Sequence, residues 1–363
     1  MLAQFHCHCL LTLIAFLLLN SIRRSSYTSI RRLLTLGMIG SFFVLFFALI
    51  PSRVLDGMAD RNLAAHALAW YGSTFLFTSA LLIYQQKKKN GKPRRGLSAW
   101  LFVIGSLYFG LAVDALLIEP TALVVREITI KTPKITKPMT IVFCADMQTE
   151  RVGNYERRTL QKIKEQNADL ILFGGDYIQG ANDQENRQLL DDWNQLFREI
   201  DLSAPLGVHA IQGNKELLNP WRDMFVDTAI IPRGLTATTQ IGEIRMTFLS
   251  VRSSWARRTV ADRQRGDRFR IMLGHMPVFA MAEQDADLLL AGHTHGGQVQ
   301  LPFFGPLHTN SGDLPRRWAS GVTTLPSGAT LLVTNGSGMA RDNAPRIRFW
   351  CRPDFWVIRL EPE

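Results

Sequence analysis

Leu288-Leu-Leu-Ala-Gly-His-Thr-His-Gly-Gly-Gln298 decides how the rest of the chain is read. An apolar run ends at Gly292. Two imidazoles follow, His293 and His295, and then Gly296 and Gly297. A short unbroken apolar run reads as a buried strand. The glycines let the backbone turn sharply and approach something closely. Neutral imidazole is the commonest metal-ligating side chain near neutral pH. Alone, such a pair is weak evidence, because polar residues at a strand end are usually just solvated.

The same design recurs four times upstream. Ile141-Val-Phe-Cys-Ala145 runs into Asp146, and Leu170-Ile-Leu-Phe-Gly-Gly175 into Asp176. Val208-His-Ala-Ile-Gln-Gly213 runs into Asn214, and Arg270-Ile-Met-Leu-Gly274 into His275. Each predicted strand delivers an oxygen or nitrogen ligand at its carboxyl end, where ligands gather in α/β proteins. A mixed cluster of carboxylates and imidazoles at that position is the signature of a divalent metal site.

The chain has 363 residues, 47% of them hydrophobic, with a net charge of +10. The apolar residues are uneven. Residues 1–120 hold long uncharged runs, and residues 121–363 alternate as a soluble domain does. Four stretches, 1–20, 33–50, 63–84 and 97–117, are long enough or nearly so to cross a hydrocarbon core of roughly 30 Å. The first lacks the basic start and the cleavage site of a signal peptide, so a retained membrane helix is expected. Arg23, Arg24, Arg31 and Arg32 lie in the first loop, and Lys87, Lys88, Lys89, Lys92, Arg94 and Arg95 in the third. The positive-inside rule puts both loops in the cytoplasm and the domain after Leu117 outside it. The excess of basic residues is therefore read as a topology signal, with no nucleic acid partner. The four cysteines, Cys7, Cys9, Cys144 and Cys351, form neither a disulfide framework nor a thiolate zinc site. A Cys144–Cys351 bridge is left open.

From Met139 strands and helices alternate, the pattern of an α/β domain. Leu189, Trp193, Leu196, Phe197 and Ile200 stand at helical spacing and mark a core face. His209 sits mid-strand and reads as a core histidine. His308 reads as a surface residue. Trp221, Trp255 and Trp318 fall in predicted loops and read as packing residues, or as residues that dip into the membrane surface or wall a pocket. The arginines between 257 and 270 read as a solvated basic loop or as a cationic rim for phosphate or anionic lipid.

The residues resemble the calcineurin-like metallophosphoesterases over roughly Met139 to Leu360. The pieces that carry the resemblance are Ala-Asp146-Met-Gln148, Gly-Gly-Asp176, Gly-Asn214-Lys215-Glu216, Gly-His275 and Gly-His293-Thr-His295. Gly-Gly-Gln298 and Arg346-Ile-Arg-Phe-Trp-Cys351 look like its membrane-associated bacterial branch. The resemblance implies a four-layer αββα sandwich of two mixed sheets for residues 121–363, preceded here by an all-helical anchor at 1–120. It also implies two divalent ions bridged by Asp176, one held by Asp146 and His295, the other by Asn214, His275 and His293. Two such ions about 4 Å apart can hold a hydroxide and stabilise equatorial charge in phosphoester hydrolysis. The donor set suits Mn²⁺, Fe²⁺ or Zn²⁺.

Two positions depart from the family pattern. Gln148 stands where the family usually has His, which shifts the first site toward Mn²⁺ or Mg²⁺. Lys215 stands where the family usually has the His after Asn, and as a cation suits phosphoryl oxygens. Glu216 is expected to orient Lys215 or to be solvated. The expected activity is hydrolysis of a phosphoester, most naturally lipid-linked or from the envelope. Some relatives cleave a UDP-diacylglucosamine pyrophosphate, which would require the domain to face the cytoplasm. The other class of reading is a binding or regulatory protein that kept the fold and lost turnover.

Overall fold

The computed structural model describes residues 72–84 in part, 95–260, 267–309, 311–340 and 346–363. The expected spans at 1–20 and 33–50 lie outside the described residues, and the one at 63–84 lies partly outside them. The chain divides into two compact units, residues 1–116 with 341–347, and residues 117–340 with 348–363.

In the first unit the longest described element is α1 (Arg95–Val113). It carries exposed Trp100, Phe102, Val103 and Leu107. Phe102 meets Phe77 of a preceding helical segment at 5.4 Å between rings. Arg95–Thr121 is the one helix among the described residues that is long and apolar enough to cross a membrane.

The second unit is built on two six-stranded mixed sheets. The first contains β1 (Val124–Thr132), β2 (Met139–Cys144), β3 (Leu170–Phe173), β4 (Val208–Ile211) and β5 (Ile230–Arg233). The second contains β6 (Ala237–Ile241), β7 (Ile244–Phe248), β8 (Arg270–Leu273) and β9 (Leu288–Ala291). A small hairpin, β10 (Gln300–Leu301) with β11 (Gly305–Pro306), follows. Next, β12 (Gly321–Thr324) and β13 (Thr330–Val333) complete the second sheet, in the order β12-β13-β9-β8-β7-β6. The last strand, β14 (Asp354–Pro362), returns to the first sheet between β1 and β2, giving β1-β14-β2-β3-β4-β5. It runs parallel to β1 and antiparallel to β2.

The sheets pack face to face through alternate residues of their strands. Ile141, Phe143, Leu170 and Leu172 of the first meet Ile271, Leu273, Leu288 and Leu290 of the second. On the outer face of the first sheet lie α2 (Asn154–Lys164) and α3 (Asp183–Ile200). They contribute Leu160, Ile163, Leu189, Trp193 and Phe197 to a second core. Asn182 caps α3 by accepting from the Glu185 N–H, and Asp201 ends it in left-handed conformation. The stripe Leu189–Ile200 is thus a core face, as its spacing predicts.

The outer face of the second sheet differs from the expected helical layer. Among the described residues it is covered by single turns, Val251–Ser254, Pro277–Met281 and Arg316–Trp318. Each runs for five residues or fewer before its chain leaves helical geometry, too short to make a layer of helices. Phe279, Leu314 and Trp318 nonetheless close a third core over Leu289 and Leu331.

His209 is buried in β4, its ring 5.2 Å from Phe248, and its Nδ1 accepts from Arg233 Nε at 3.3 Å. Burial, and then the Arg233 charge, depress its pKa to about 4. An unfolded chain takes up that proton near pH 6.5. Protonation therefore favours unfolding, and stability falls as pH drops from about 6.5 toward 4. In urea titrations at pH 7 and pH 5, His209→Gln is expected to lose less stability between the two than the unsubstituted protein.

Candidate metal centre

Strands β2, β3 and β4 are parallel neighbours, as are β8 and β9. Their carboxyl ends hand on Asp146 and Gln148, Asp176, Asn214 and Lys215, His275, and His293 with His295. The two sheets deliver these residues to one place. His275 Nε2 lies 3.0 Å from Asn214 Oδ1 and 3.4 Å from Asp176 Oδ2. Its Nδ1 is 2.8 Å from the Gly174 carbonyl oxygen and 3.8 Å from Asp146 Oδ1. Asp146 Oδ2 accepts from the His293 N–H at 2.7 Å, and Asp176 Oδ1 from the Lys215 N–H at 2.9 Å. The rings of His275 and His293 are 5.2 Å apart, edge to face.

Two groups emerge with metal-ligand spacing: Asp176, His275 and His293, and Asp146, Asp176 and His295. In each, one donor atom per residue lies within 4.8 Å of the others, and Asp176 belongs to both. Every member but His293 is buried.

The backbone here is unusual. Asp146, Gln148, Asp176, His293 and His295 all have positive φ, between 24° and 68°. Left-handed conformation costs a side-chain-bearing residue about 1–3 kcal/mol and concentrates at functional sites. Gly175, at φ 90°, turns the chain ahead of Asp176 so tightly that a Cβ there would collide with Gly213.

Charge is balanced within the cluster. Burial raises Asp146 above the ordinary carboxylate range. Burial acts on Asp176 the same way, but the charge and hydrogen bond of His275 outweigh it and hold that carboxyl low. Burial alone would lower His275; Asp176 and Asp146 overcome it and raise that imidazole. Burial, with the Arg348 charge nearby, keeps His295 well below the usual imidazole range and so neutral.

Three buried atoms that could ligate a cation have no hydrogen-bond partner: Asp146 Oδ1, Gln148 Oε1 and His295 Nδ1. Gln148 Nε2 donates to Gln179 Oε1 at 2.7 Å, which leaves its oxygen for other use. Orphaned buried acceptors are costly and call for an occupant. Their hard oxygen and imidazole character fits a divalent cation.

Several supports were not legible beforehand. Glu216 does not meet solvent. It is fully buried, and its carboxylate accepts from the N–H groups of Asp176, Tyr177, Ile178 and Gly213 at 2.7–3.2 Å. The segment after β13, Thr334-Asn-Gly-Ser-Gly338, closes the site from the second sheet. Ser337 N–H donates to Ala145 O and Gly338 N–H to Asp146 O. Buried Arg348 donates to the carbonyls of Asn335, Gly336, Gly338 and Cys351. The signal was an apolar strand running into polar and glycine residues, the design of the other five without a carboxylate or imidazole. Cys144 and Cys351 are both free thiols, so the open bridge does not form. Trp221 and Trp318 are buried, Trp255 is exposed, and His308 is at the surface.

Residues 139–297 match the family model of the calcineurin-like phosphoesterases. The chain carries a calcineurin-like phosphoesterase domain. By that match the domain is a metal-dependent phosphoester hydrolase. The chain is similar to the metallophosphoesterase YkuE of Bacillus subtilis, 28% identical over 218 residues, covering 55% of this chain and 70% of that protein. It is also similar to the phosphodiesterase YaeI of Escherichia coli, 25% identical over 61% of this chain and 82% of that one. A Campylobacter jejuni metallophosphoesterase is 22% identical over 65% of this chain and 63% of its own length. The matched part of the phosphoesterase domain contains every strand end described above except the Thr334–Gly338 segment, Arg348 and β14.

Glu216 carries a prediction for this domain. Glu216→Ala strands four buried N–H groups, and should cost roughly 3 kcal/mol or more in chemical denaturation. Lys215→Ala, which removes no such acceptor, is expected to change stability by about 0.5 kcal/mol or less.

Proposed function

We propose that the chain is a membrane-anchored hydrolase that uses two divalent cations, Mn²⁺ foremost, on the phosphodiester or pyrophosphate bond of a lipid-linked or envelope substrate. The observation that carries this reading is the membership of one buried carboxylate, Asp176, in both ligand groups. One side is completed by Asp146, His295 and Gln148, the other by His275, His293 and Asn214. Bound divalent ions would supply Lewis-acid stabilisation of phosphoryl charge and an acidified water.

The chain's own residues then have distinct tasks. His275 is held by the Gly174 carbonyl, which fixes its tautomer and ring plane. His295 is kept neutral and ready to ligate. Asn214 presents its amide oxygen to the same point as His275 Nε2. Lys215 begins beside Asp176 through its backbone N–H, and as a cation serves the equatorial oxygens of the substrate. The apolar helix Arg95–Thr121 and the distribution of basic loops support an anchored domain on the outer face of the membrane.

The test uses the purified full chain, stripped of metal with a chelator and assayed on bis-p-nitrophenyl phosphate. Turnover should vanish on stripping and return with Mn²⁺ more than with Zn²⁺. Asp176→Asn should reduce it to background, and Lys215→Ala should lower kcat by about a hundredfold. A folded protein inert with every divalent ion would sink the hydrolytic reading in favour of a binding role. A C-terminal alkaline phosphatase fusion should be active; an inactive one would put the domain in the cytoplasm and bring a nucleotide-linked lipid pyrophosphate forward as substrate.

A further inference from the structure

Beyond the metal centre, the second unit carries an apolar face joined to a basic one. The β10–β11 hairpin raises Phe303 fully into solvent, with Phe304 and Leu301 exposed beside it. The hairpin is tied to the segment bearing Trp350: Gln300 N–H donates to the Phe349 carbonyl, and Phe349 N–H to that of Gln298, both at 2.9 Å. Trp350 is 56% exposed and lies parallel to Phe349 at 5.8 Å. Its backbone N–H donates to Glu119 Oε2 at 2.9 Å, and the Cys351 N–H donates to Glu119 Oε1. Glu119 is 3% exposed, although Leu117 and Ile118 just before it are 62% and 54% exposed.

These contacts link the three segments to one another. A buried carboxylate fastens residues Leu117–Thr121 to the Trp350 segment, and that segment is bridged to the hairpin. The hairpin itself starts within five residues of His295. Basic groups border it. The Arg316 guanidinium lies 4.7 Å above the Phe304 ring, and Arg317 and Arg352 are exposed. Aromatic side chains on a tight turn with arginines beside them fit the interface of an anionic bilayer, where rings enter the acyl boundary and guanidinium groups meet phosphate. Leu117 to Thr121 is also the end of the apolar helix that begins at Arg95. If that helix crosses a bilayer, the headgroup region lies at Glu119.

We infer that the face formed by Phe303, Phe304, Trp350, Leu117 and Ile118 is seated in the surface of an anionic lipid bilayer, holding the metal centre against it. This rests on the membrane anchor proposed above and not on hydrolysis.

Phe303→Trp in the full chain, reconstituted with phosphatidylcholine and phosphatidylglycerol, reads the seating directly. The added emission should be quenched by lipids brominated in their acyl chains and protected from aqueous iodide. Replacing phosphatidylglycerol by phosphatidylcholine, or introducing R316E with R317E, should weaken that quenching. Trp350→Phe is the companion: it should remove emission that brominated lipid quenches. Added emission open to iodide and indifferent to brominated lipid overturns the inference. So does emission shielded from both, which would mean that a second copy or another protein covers the face. The same measurement on Asp176→Asn separates the two ideas, since a protein without turnover must still show the quenching.

Discussion

Two carboxylates and two imidazoles removed from water cannot all keep their ordinary charges, and the architecture around Asp176 answers that constraint. Burial drives Asp146 toward its neutral form, while His275 holds Asp176 charged. In the absence of a cation, protons and N–H donors must do the compensating. A divalent ion does it better, because it replaces several shared protons with one fixed charge. The same logic explains the left-handed backbone at Asp146, Asp176, His293 and His295. Those conformations aim short side chains inward from strand ends that would otherwise carry them past one another. The strain is offset by hydrogen bonds the turns would not make if relaxed, including His293 N–H to Asp146 and four N–H groups to Glu216.

The centre also joins the two sheets. Asp146, Asp176 and Asn214 come from one, and His275, His293 and His295 from the other. Packing alone would hold the sheets at a spacing but would not fix their register. The Thr334–Gly338 segment does that, crossing from β13 to donate to the carbonyls of Ala145 and Asp146. Arg348, its charge spread over four carbonyls, keeps that segment in place.

The ligand-bearing strands were legible because each is a short apolar run that ends in glycine or alanine and then a polar residue. Periodicity also announced α3, since Leu189, Trp193, Phe197 and Ile200 can lie on one side only in a helix. What did not show was whatever depends on contacts distant in sequence. Glu216 looks like any charged residue after Asn-Lys; only the fold brings Tyr177 and Ile178 over it. Arg348 sits among other basic residues and gives no local sign of burial. Among the described residues, only single turns cover the second sheet, each too short to make the helical layer that the family resemblance implies. The two free cysteines show the reverse case: Cys144 and Cys351 are both buried near the site, yet each thiol has a hydrogen-bonding neighbour of its own, Ser337 and the His295 carbonyl.

β14 enters between β1 and β2, pairing nine residues with the first and five with the second. During synthesis β2, which positions Asp146, therefore has an open edge until Asp354–Pro362 has left the ribosome. Every other strand of that sheet is made earlier. Asp354, at the start of the arriving strand, receives Arg126 from β1 and the Thr334 hydroxyl and Asn335 N–H from the loop that closes the site. β14 is thus the keystone of the first sheet, and a chain without Asp354–Pro362 would carry all its ligands and no frame to hold them.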